Sequence, residues 1–61
     1  MNTYIPTIHE LSRYSESELR MMFRHAADIA ANAHYPEPER AAARQTRENI
    51  RRVLASRRPP P

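Results

Sequence analysis

The chain has 61 residues, with ten arginines, no lysine, seven acidic residues and a formal charge of +3. Cysteine and glycine are both absent, which excludes disulfide staples, thiolate metal sites and the glycine-dependent phosphate loops and nucleophile elbows of many enzymes. A chain this short makes one domain at most and buries only about 60% of its unfolded surface, so it needs closely packed helices or a second copy to be stable.

Residues 1–6 read as an extended arm whose Tyr4 and Ile5 can fold back onto the body. Thr7, Ile8, His9 and Glu10 then have capping-box spacing, a hydroxyl at the N-cap and a carboxylate three residues later. A short first helix is predicted over about residues 8–13, with Ile8 and Leu11 facing inward. The same signature returns at Ser15 and Glu18, predicting a second helix over about residues 16–34. Its apolar set, Leu19, Met22, Phe23, Ala26, Ile29, Ala30 and Ala33, occupies one arc of about 120°. Glu16 and Arg20 are spaced to pair along its first turns.

The six prolines, Pro6, Pro36, Pro38, Pro59, Pro60 and Pro61, all fall outside the apolar-periodic segments, as expected where proline is excluded from helix interiors. The residue before a proline avoids the α region, so the second helix must stop near Tyr35 and Pro36. Pro38 suits the first position of a third helix over about residues 38–57. Glu37 and Glu39 complement that helix's positive end, and Arg57 and Arg58 its negative end. Its apolar face is Ala43, Thr46, Ile50, Val53 and Leu54.

A short link between two helices of similar length predicts an antiparallel hairpin. The expected fold is therefore all-α, a short N-terminal helix followed by a two-helix hairpin. The domain spans residues 7–57 and a proline-rich tail residues 58–61. The apolar faces offer so little burial that pairing with a second copy into a four-helix-type bundle is expected.

Five arginines form the strongest functional signal. At about 100° per residue, Arg40, Arg44, Arg47, Arg51 and Arg58 lie within about ±40° of one line along the third helix. Guanidinium forks in a row suit carboxylates or phosphates. One reading neutralises them locally, with Arg44, Arg51 and Arg52 gathered around Glu48. The other makes them a contact surface for an acidic protein or for phosphates. Gln45 and Asn49, on neighbouring arcs, are the side chains suited to reading base edges, although no helix-turn-helix signature surrounds them.

Met21 lies off the apolar arc of the second helix. Ala27 and Ala31 form a small-residue flank beside Arg20 and Arg24 on which another helix could lie closely. Met21, Ala27 and Ala31 are thus the candidate helix-packing interface. Tyr14 and Tyr35 are expected to cover the ends of the bundle.

His25 and His34 are about 180° apart on the helix, so no metal site is expected. No serine sits in a nucleophile elbow and no cleft is expected for paired carboxylates, so neither catalysis nor a cofactor is expected. Residues 1–10 lack the basic start and apolar run of a signal peptide, and no stretch approaches the ~20 apolar residues of a membrane span. The chain reads as a soluble cytoplasmic interaction module, of regulator or inhibitor type. A nucleic-acid-binding protein using the same arginines is the alternative, and a purely structural self-assembling subunit the third option.

Overall fold

A computed structural model describes residues 3–57, so Arg58 and the proline-rich tail lie outside the described residues. Three helices follow one another: α1 (Ile8–Leu11), α2 (Glu16–Ala31) and α3 (Glu37–Ser56). No strand occurs among the described residues. No helix among them is long and apolar enough to cross a membrane.

Both predicted capping boxes form. The Thr7 hydroxyl accepts from the Glu10 amide at 3.1 Å, and the Glu10 carboxylate accepts from the Thr7 amide at 3.0 Å. Ser15 and Glu18 repeat the arrangement at 3.1 and 3.0 Å. Each box satisfies donors that the first turn of a helix otherwise leaves open. At the start of α3 there is no side-chain cap. Pro36 and Pro38 have no amide hydrogen to satisfy, and the Pro36 carbonyl accepts from the amides of both Glu39 and Arg40 at 3.1 Å.

The helix boundaries depart from the sequence reading. The first helix stops at Leu11 rather than 13, and the second at Ala31 rather than 34, while the third covers Glu37–Ser56 in place of 38–57. Asn32 explains the largest shift. Its backbone is extended (φ −95°, ψ 113°), and its side-chain oxygen accepts from the His34 amide at 2.9 Å. An asparagine that bonds the backbone two residues ahead offers the chain a turn in place of another helical turn. Ala33, expected on the apolar face, is consequently exposed in the link.

The core lies along the α2–α3 seam. Leu11, Leu19, Ile50 and Val53 are sealed from solvent, and Met22, Phe23 and Leu54 pack against them. Towards the link the seam is built from alanines instead, with Ala26 on α2 and Ala42 and Ala43 on α3 buried. Small side chains let two helices approach closely, so the larger residues at the other end need a further element to complete them. α1 supplies it by inserting Leu11. Ile8, expected to face inward with it, stays exposed at 43%, because a helix of a single turn buries only one stripe.

Two polar contacts hold this closure across long sequence separations. The Arg57 guanidinium donates to the Ser12 carbonyl at 2.7 Å, tying the end of α3 to the turn after α1. The Asn49 side chain donates to the Pro6 carbonyl at 3.1 Å, pinning the arm to α3. Tyr4 folds back as expected and donates its hydroxyl to the Glu10 carboxylate.

Because so few residues form the core, each carries a large share of the stability. Ile50→Ala is expected to cost about 2–5 kcal/mol against the ~3–9 kcal/mol typical of a chain this long. Circular dichroism would then show the cooperative thermal transition largely lost. A sharp transition within a few degrees of the parent would show that the seam does not carry the fold.

Candidate interaction surface

The phase of α3 is set by Ile50 and Val53, which must face α2. At about 100° per residue, Arg47 and Arg51 then fall to one side of Ile50, and Arg40 and Arg44 continue the line. The stripe therefore runs along the edge of the seam. Arg40 is half-buried: its side chain is 30% exposed and its Nε is buried without a hydrogen-bond partner. Arg47 is half-buried, whereas Arg44 and Arg51 are exposed. Their stems cover the margin of the core while the charged heads reach outward.

Glutamates partly neutralise the stripe, in a regular pattern. Glu37 holds Arg40 at 3.0 Å and Arg44 at 2.6 Å. Glu48 holds Arg51 at 2.5 Å and Arg52 at 3.6 Å. On α2, Glu16 holds Arg20 at 2.9 Å. In every pair the acid precedes the arginine. Helical side chains lean towards the N-terminus, so a long guanidinium reaches an acid one or two turns before it. This is why Arg44 pairs with Glu37 rather than with the following Glu48.

The same rule explains why Arg24 and Arg47 go without. Positions 43 and 44, before Arg47, are Ala43 and Arg44; positions 20 and 21, before Arg24, are Arg20 and Met21. Neither Arg47 nor Arg24 has an ion pair among the described residues. Five paired arginines share three glutamates, so even the paired groups leave positive charge uncompensated.

Two grooves flank the seam. The first, of about 590 Å³, has Phe23, Ala27, Leu54 and Ala55 along it and Arg20, Arg24 and Arg51 around it. On helical phase it lies on the same side of the hairpin as the arginine stripe, and Arg51 belongs to both. The second, of about 650 Å³, is lined by residues that include Tyr4 and Pro6 of the arm, Met21, Met22 and Ile29 of α2, and Tyr35 of the link. It carries no arginine; Glu39 and His25 are its ionisable groups besides the tyrosines.

No protein-family model matches the chain, and neither does any curated protein or solved structure. The reading of this surface therefore rests on its own geometry.

That geometry divides the candidate helix-packing residues. Met21, 73% exposed, lines the second groove, Ala27 lines the first, and Ala31 is exposed and lines neither. Tyr35 lines the second groove, and Tyr14 is 41% exposed. Asn49 is drawn into the fold, donating to the Pro6 carbonyl, while Gln45 stays exposed and its amide donates to the Asn49 oxygen at 3.0 Å. Both lie on the flank of α3 away from the arginines rather than on the arcs next to the stripe where the sequence reading put them. The groove was the feature hardest to anticipate. Arg24 and Arg51 come from different helices, and only the hairpin brings them to one rim.

The carboxylates report these contacts electrostatically. Hydrogen bonds from Arg44 and Arg51 hold Glu37 and Glu48 below their ordinary value of 4.5. The Tyr4 hydroxyl and the Ser15 amide do the same for Glu10 and Glu18. A carboxyl with a depressed folded-state pKa contributes stability above its unfolded value and loses it as pH falls through the folded value. The melting temperature is therefore expected to hold from neutral pH down towards 4.5 and to decline below it. The double variant Glu37→Gln/Glu48→Gln should flatten part of that decline. A melting temperature indifferent to acid in the parent would show that these contacts add nothing.

Proposed function

We propose that the protein is a small non-enzymatic interaction module that docks its arginine-lined face on an acidic surface of a larger protein. The observation that carries this reading is the apolar groove between arginines of α2 and α3. A phosphate backbone would engage the guanidiniums and leave Phe23 and Leu54 uncovered. A protein surface with carboxylates around apolar side chains covers both. The engagement of Asn49 with the Pro6 carbonyl points the same way, since it occupies one of the two side chains suited to base edges.

Self-association is proposed through the other groove, giving the four-helix-type pairing. Its lining carries one formal acid and no arginine, so two copies meet there without the repulsion that two arginine rims would suffer. Under two-fold symmetry His25 of each copy can face Glu39 of the other, and Met21 becomes covered. Sedimentation equilibrium is expected to show a dimer that Met21→Glu converts to monomer. A parent protein that stays monomeric at high concentration would end this part of the reading.

The docking reading is tested by fluorescence anisotropy with two probes, a glutamate-rich helical peptide and a DNA duplex, across a salt series. The peptide is expected to bind at physiological salt. Reversing the unpaired Arg47 (Arg47→Glu) should weaken it about tenfold, or ~1.4 kcal/mol. Preference for the duplex, with affinity falling linearly in log salt, would transfer the arginines to phosphate contact.

A further inference from the structure

The first groove places restrictions on what can occupy it. Its walls are the middle of α2 and the last turns of α3, whose amides are committed to helical hydrogen bonds, with the Leu54 and Ala55 carbonyls taken by the Arg57 amide. It has no sheet edge to which an extended segment could add. A chain that leaves water to lie here must satisfy its own backbone, which a helix does and a strand does not. Ala27 keeps the α2 wall low, so a helix can approach closely.

Length and charge narrow the occupant further. The α2 wall runs from Arg20 to Ala27, about 10 Å or two helical turns. That span accepts apolar side chains at positions i, i+3 or i+4, and i+7 of a partner helix over Phe23 and Leu54. The rim is entirely cationic. Arg24 has no ion pair among the described residues, while Arg20 and Arg51 are each held by one exposed or half-exposed glutamate. A second copy presenting the same face would bring arginine against arginine, so charge complementarity excludes self-pairing here and selects carboxylates.

We propose that this groove seats one acidic amphipathic helix of a protein partner, with an apolar ridge on the Phe23–Leu54 floor and a carboxylate against Arg24. The inference rests on the docking reading above and specifies the element of the partner that is recognised. Arg24 and Ala27 set the specificity, one by charge and the other by clearance.

Two synthetic peptides of identical leucine, glutamate and alanine composition provide the test. One carries a continuous apolar ridge at helical spacing, and the other is scrambled so that no ridge forms. In titration calorimetry the ridged peptide is expected to bind at least about tenfold more tightly. Ala27→Trp fills the groove from α2 and Ala55→Trp from α3, and neither removes an arginine. Each is expected to erase that advantage while leaving the weaker, charge-driven binding of the scrambled peptide. Amide shift changes in the parent protein should centre on Phe23, Ala27 and Leu54, a readout that needs no variant to fold.

Equal affinity for the two peptides would overturn the groove assignment and leave the acidic-surface reading intact. So would an advantage that survives both tryptophans, or shift changes centred on Met21 instead. Failure of both peptides to bind would overturn both readings together.

Discussion

Burial of Ile50 against Leu19 and Leu11 is the contact on which the rest of the molecule depends. The chain has no disulfide, and the cluster at its core has only four sealed side chains among the described residues. Fixing the phase of α3 at Ile50 decides where every other residue of that helix points. Arg47 and Arg51 fall beside the seam, Asn49 falls on the opposite flank where the arm passes, and Glu39 and Ala43 come to line the second groove. α1 is too short to be stable alone. It is held because Leu11 fills the wider end of the seam and because its box, Tyr4 and the Arg57–Ser12 contact close around it.

The electrostatics follow from helix geometry more than from the numbers of each charge. Within α2 and α3 acids sit one or two turns before arginines at three places, and each of these acids takes the guanidiniums that lean back towards it. Arg24 and Arg47 have no acid within that reach. These exposed pairs contribute little to stability. Their consequence is positional: they orient Arg20 and Arg51 at the groove rim and leave Arg24 able to accept a new carboxylate.

The two sides of the hairpin thus carry different chemistry. One presents guanidiniums around an apolar groove, suited to an acidic partner. The other presents Met21, Tyr4 and Tyr35 with almost no formal charge, the face proposed for self-association. On the proposed reading, a dimer with two such outward faces would gain avidity for a partner offering two acidic sites, through effective concentration rather than through new interactions.

Local features were legible from residue order. Both capping boxes, the Glu16–Arg20 pair, the apolar stripes of α2 and α3 and the break at Pro36 depend on groups within a few residues of one another. Sequence spacing is enough to specify them. The outward turn of Ile8, the early end of α2 at Asn32 and the choice of Glu37 by Arg44 came out differently. In each case two local options of similar energy competed, and neighbouring structure or side-chain lean selected one. The grooves themselves belong to tertiary structure. Arg24 and Arg51 are 27 positions apart, and Met21 and Ala27 separate into opposite grooves only because a second helix lies between them. Sequence by itself determined which surfaces are apolar and which are cationic. Packing α3 against α2 decided which of them meet, because burying one stripe of each helix fixes the rotation of both.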